Sequence, residues 1–203
     1  VTALELLGLM AIAHDDAAVL APGASIIRVR DLGAVVRAAP AASYDPANDE
    51  GEYEQLLDAL FAQGAVFPAP PGLVFRTVDT LRSWLEQNYV GLAEGLTFIS
   101  GRCEARVHVR AATHGVLADD DIVTATQEAH DAIRALRPGA VATVTLPEPQ
   151  PPMLLSVAFL LKANEWNAFS ESVLEQERRF TELRFEQTGP WIPHDFVRLD
   201  LGV

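Results

Sequence analysis

His14-Asp15-Asp16 sets an imidazole beside two carboxylates, a combination able to ligate a metal or move a proton. Adjacent loop residues rarely converge on one ion, so the plainer reading is a polar exit from a strand. Asp119-Asp120-Asp121 offers three carboxylates to Mg²⁺ or Ca²⁺, but it lacks the glycine and distal glutamate of a calcium loop. Acids opening a helix complement its dipole and account for the run without an ion. Cys103 and His108 suggest a thiol nucleophile, yet odd and even strand positions face opposite ways, so these two cannot pair. A buried structural cysteine is the expectation. His130 falls on or beside the buried stripe of a helix, and His114 and His194 fall in loops. No Gly-rich phosphate loop, nucleophile elbow or His-Glu-x-x-His stands in the chain, so no catalytic, cofactor-binding or metal residue is assigned.

The elements that would position these side chains follow from periodicity. Leu4–Ile12 reads as a buried strand, and Ser25–Arg30 with Ala34–Arg37 as a hairpin. Pro40–Glu50 reads as a loop. Tyr53, Leu56, Leu57, Leu60 and Phe61 place an amphipathic helix over Glu52–Gln63. Pro68–Gly72 is too proline-rich for regular structure. A further helix, capped by Thr77 or Asp79, turns Val78, Leu81, Leu85 and Leu92 inward. A boundary near Gly95–Gly101 divides the chain into domains 1–97 and 98–203.

The second half is more regular. Arg102–Arg110 alternates, with Ala105, Val107 and Val109 inward and Glu104, Arg106 and His108 outward. A helix opened by the three aspartates buries Ile122, Thr126, Ala129, Ile133 and Leu136. Strands follow at Val141–Leu146 and Met153–Leu161, then a helix from about Asn164 to Arg179. The strand Thr181–Gln187 turns Glu182, Arg184 and Glu186 outward. The order β-α-β-β-α-β predicts a ferredoxin-like α+β domain, preceded by a smaller, modified α+β domain. Its outward sheet face, carrying Glu104, Arg106, Glu182 and Arg184, is either an ordinary solvated surface or a docking face. In the tail, Gly189 supplies a free turn, Pro190 and Pro193 fix φ, and Trp191 is expected to lock down as a structural plug.

Of 203 residues, 49% are apolar and 21% charged, enough for a packed core. Fifteen basic against 28 acidic residues leave a net charge of −13. Such a surface repels phosphate backbones and anionic lipid, which argues against nucleic-acid and membrane partners. A single cysteine excludes an internal disulfide framework. No 18-residue apolar run marks a transmembrane helix, and the opening Val1–Ala13 lacks a signal peptide's basic lead-in.

Leu154–Leu161, a helix, then Leu183-Arg184-Phe185 and Thr188–Val197 together resemble the C-terminal part of the gas vesicle protein F/L (GvpF/GvpL) family. There an apolar strand, a helix and a closing TGPWPPYSFV-like stretch recur in this order. Val66–Phe75 is similar to the family's LPxxFGTVF, with Pro71 and Leu73 where Phe and Thr are usual. Ile192 and His194-Asp195 replace the usual Pro and Tyr-Ser. The resemblance spans roughly Glu52–Val197 in register. It implies two α+β domains, no catalysis, no cofactor, and a cytoplasmic, gas-vesicle-associated role in assembly. The implied partners are the hydrophobic shell protein and other accessory proteins. Candidate contacts, chosen for expected exposure, are Arg106, Arg184, Glu104, Glu182 and Phe75. The rival readings are a regulatory module binding a small effector and an enzyme built on His14, Asp15 and Asp16.

Overall fold

The computed structural model describes residues 3–12, 22–39, 46–112, 119–147 and 153–199. His14-Asp15-Asp16, His114 and residues 40–45 and 148–152 lie outside them, as do the side chains of Asp119 and Asp120. The chain forms two compact units. The first ends at Gly101, the second begins at Arg102, and Val197 returns to the first. The boundary expected after residue 97 therefore falls within the helix Tyr89–Ile99, and the end of the chain does not group with the second unit.

The first unit runs β1 (Leu4–Ala11), β2 (Ala24–Val29), β3 (Leu32–Ala38), α1 (Pro46–Phe61), β4 (Val66–Pro68), β5 (Val74–Phe75), α2 (Val78–Gln87) and α3 (Tyr89–Ile99). Its antiparallel sheet has the order β2-β3-β1-β4, with β5 also on β1. Strand β1 is apolar but for Glu5 because it is central: Leu6, Leu7 and Leu9 have no exposed surface. α1 begins inside the stretch expected as a loop, since proline suits a first helical turn, where no N–H is needed. It buries Tyr53, Leu57 and Leu60.

Two further expectations are corrected in this unit. Pro68 does enter a strand: β4 pairs Gly8 with Pro68, Leu9 with Phe67 and Met10 with Val66. Proline is tolerated there because it ends an edge strand. The helix expected after Thr77 is two helices. Thr77 closes a capping box with Thr80, while the Asn88 amide donates to the Trp84 carbonyl at the joint. Val78 is 37% exposed rather than inward.

The Tyr53 hydroxyl donates to the Ala69 carbonyl and lies 3.3 Å from that of Leu7. Leu7 O also accepts from Ala69 N–H, so Ala69 is the carbonyl that depends on the phenol. Tyr53→Phe is expected to cost about 1–2 kcal/mol, read by urea denaturation, because a buried acceptor loses its donor.

The second unit runs β6 (Arg102–Ala111), α4 (Asp119–Leu136), β7 (Ala142–Thr145), β8 (Met153–Lys162), α5 (Trp166–Arg179) and β9 (Leu183–Trp191). All pairings are antiparallel, in the order β7-β8-β6-β9. Cys103, Ala105, Val107 and Val109 of β6 are buried, as are Val157, Phe159 and Leu161 of β8. Phe159 meets Phe169 of α5 at a centroid distance of 4.9 Å. From α4 come Ala129, Ala132, Ile133 and Leu136, whereas Ile122, expected inward, is 39% exposed, and His130 is exposed. The two units share a strand order, β1 standing where β6 stands, β3 where β8 does and β4 where β9 does.

Candidate functional site

The outward face of β6 does not lie open along its length. Glu104, expected among the exposed contacts, has no exposed surface. Its Oε1 accepts from Arg106 Nε at 2.7 Å, and its Oε2 accepts from the Asp195 main-chain N–H at 2.9 Å. Arg106 also reaches Asp195 Oδ2 at 3.1 Å. One guanidinium thus serves two carboxylates, and the segment after β9 is tied to the sheet through Asp195. Burial pushes the Glu104 carboxyl up to about 7, and the nearby Asp195 carboxylate adds to the rise; the Asp195 N–H and the Arg106 charge oppose it. Arg106 remains 36% exposed.

Glu104 reads as a solvent residue by alternation alone, since it occupies an even position on β6. The one local signal is Arg106 two positions on, a partner for it on the same face; the contact with Asp195 is visible only in the fold. The first unit repeats the device. Glu5 of β1 is 1% exposed; it accepts from Arg37 Nε at 2.7 Å and from the Gly72 N–H at 3.2 Å. In each unit a buried glutamate on the central strand β1 or β6 takes one arginine and one main-chain N–H. Gly72 follows Pro70-Pro71 after the edge strand β4, and Asp195 follows Pro193 after the edge strand β9.

The other expected contacts divide. Arg184 of β9 is exposed, and its guanidinium donates to the carbonyls of Thr181 and Leu183. Glu182 is exposed just before β9 and accepts the Ala112 N–H through its carbonyl. Phe75 is not an open contact: it is half-buried on β5, its ring 5.6 Å from that of Trp84 against the first unit's core. The plug expected at Trp191 is also corrected. Trp191 is 45% exposed, its indole N–H donating to Thr188 Oγ1, while Ile192 is buried at 3% and Pro193 is buried beside it. A bulge causes the change. From Thr188 to Trp191 β9 advances three residues while β6 advances two, from Arg106 to Glu104, so the alternation is lost. Gly189 sits in this bulge at φ +118, before the cis bond to Pro190.

Cys103 and His108 lie on opposite faces as expected. Burial pushes the Cys103 thiol up, away from the reactive thiolate. His108 Nδ1 instead meets Ser156 Oγ at 2.8 Å. Ser156 is only 4% exposed, so this bond ties β6 to β8 rather than presenting a nucleophile. Among the described residues no group of three His, Cys, Asp or Glu side chains is placed to hold a metal. No helix there is long and apolar enough to cross a membrane.

The model of the gas vesicle synthesis protein GvpL/GvpF family matches residues 18–131 and 122–198, nearly the whole chain. The chain belongs to the GvpL/GvpF family. Gas vesicle protein F2 of Halobacterium salinarum is 26% identical over 182 residues, covering 87% of this chain and 81% of that protein. The crystal structure of GvpF from Anabaena sp. PCC7120 superimposes with a TM-score of 0.80 at 18% identity, covering 98% of both chains. That of GvpF from Microcystis aeruginosa gives 0.76 at 18% identity, covering 98% of this chain and all of the other. The α+β fold is thus that of GvpF. In this GvpL/GvpF chain the tail residues that carried the resemblance, Gly189-Pro190-Trp191, form the bulge that leads Asp195 to Glu104.

Proposed function

We propose that this GvpL/GvpF protein is a non-enzymatic accessory factor of gas vesicle assembly. It binds the hydrophobic shell protein and other accessory proteins in the cytoplasm, and associates with the vesicle. The observation that carries the reading is the family match along residues 18–198. The β-α-β-β-α-β order of the second unit, with strands in the order β7-β8-β6-β9, supports a ferredoxin-like domain. A net charge of −13 keeps a complex dispersed while a local surface holds an aggregation-prone client. The same charge disfavours nucleic acid and anionic membrane as partners. Arg184, Glu182 and the exposed part of Arg106 are the contacts kept from the sequence, and the exposed Trp191 joins them. Aromatic and arginine side chains are the usual anchors of such surfaces.

The test is co-purification of tagged full-length protein with the shell protein and the other accessory proteins of a gas-vesicle-forming host. Retention of the shell protein is expected. A column that retains none of them contradicts the reading.

A further inference from the structure

A sheet edge is an open template for another strand unless the chain guards it. The second unit's sheet ends in β9 and β7. Strand β9 is guarded three times over: Pro190 lacks a donor, a bulge breaks its register, and Arg184 and Glu186 are exposed on it. Strand β7 carries fewer of them: its ladder residues Ala142–Thr145 hold no charge and no proline, although Leu160 O, opposite Ala142, also accepts from Val141 N–H and Pro147 follows the strand. Val141–Leu146 reads Val-Ala-Thr-Val-Thr-Leu, free of charge and proline, in a chain 21% charged. Such a run has high β propensity and low charge, the signature of a pairing segment. Strand β2 holds the same place in the first unit's order, but it carries an exposed Arg28 and packs against α2.

The main-chain direction can be read from the ladder. Leu146 N–H donates to Ser156 O at 2.9 Å, and Val144 and Ala142 lie opposite Ala158 and Leu160 in the same register. Hydrogen-bonded positions alternate in an antiparallel pair, so Ala142, Val144 and Leu146 face β8. Thr143 and Thr145 then turn their N–H and C=O groups outward. We propose that the edge of β7, unpaired among the described residues, docks an extended, uncharged, β-branched segment of the hydrophobic shell protein by strand addition, an inference that rests on the function proposed above. Main-chain hydrogen bonds supply the affinity and the neutral side chains the selectivity. A charged residue in the incoming strand would meet no counter-ion along Val141–Leu146. A second copy of this chain is the poorer occupant. It would set −13 against −13.

Two variants of the full chain test this. Thr143→Pro removes an outward N–H without touching the bonds to β8, and Thr145→Lys places a charge on an exposed edge position. Each is measured for capture of detergent-solubilised shell protein, with circular dichroism and melting as controls for folding. Folded variants are expected to bind at least tenfold more weakly than the parent; if the proline variant does not fold, the lysine variant decides. The Thr143 and Thr145 amides of the parent are expected to exchange more slowly in the complex. Parental affinity in the folded variants, or unprotected amides, overturns the edge while leaving the proposed function standing. Failure of the parent itself to capture the shell protein overturns both. A parent that pairs with itself through β7 overturns the choice of occupant.

Discussion

Gly189→Ala is expected to lower the stability of the second unit by about 3 kcal/mol, among the largest effects of any one-carbon change in this chain. An added Cβ at this position would sit 2.6 Å from the Glu104 carbonyl oxygen and 2.9 Å from the Trp166 ring. The first obstacle is backbone of the central strand, which cannot step aside as a flexible side chain does. The residue also sits at φ +118, where L side chains are strained whatever the space. Gly23→Ala separates the two causes: Gly23 has φ +83, and a Cβ added there would meet nothing within 4 Å, so only strain remains. It is expected to cost about 1 kcal/mol. Urea denaturation followed by tryptophan fluorescence measures both. Equal losses in the two variants would show that crowding at the bulge contributes nothing.

The stability of the second unit is expected to fall as the pH rises from about 4.5 to about 7. The Glu104 carboxyl has its folded value raised to about 7 from 4.5, chiefly by burial. The folded state therefore holds a proton that the unfolded state has released across this window. Stability falls with pH wherever the folded state binds more protons. The full shift corresponds to about 3 kcal/mol, present below the unfolded value and lost by the time the pH passes the folded one. Glu104→Gln keeps the shape and removes the titration, so its stability is expected to be flatter over the same range. Denaturation at pH 5, 6, 7 and 8 for both proteins checks this, and parallel profiles would contradict it.

Hydrophobic periodicity makes much of this fold legible. The alternation of Arg102–Arg110 places β6, the apolar run Met153–Leu161 places β8, and the spacing from Tyr53 to Phe61 places most of α1. The misreadings share a cause: a local rule is overtaken by a pairing distant in sequence. Pro68 looks unfit for a strand until β1 is there to receive it. Glu104 looks exposed because alternation cannot see Asp195, ninety-one residues further on. Trp191 looks buried because aromatic bulk suggests burial, whereas the bulge at Gly189 gives that place to Ile192. The paired use of Glu5 and Glu104 is hidden for the same reason, since the arginines come from non-equivalent strands, β3 and β6, and the main-chain donors Gly72 and Asp195 lie far along the chain.

The most direct test of the holding role is light scattering of the shell protein on removal from denaturant, with and without this chain at equal concentration. The account predicts that the chain keeps the shell protein in solution and that the two elute together. Aggregation at the same rate and to the same extent in its presence would contradict it.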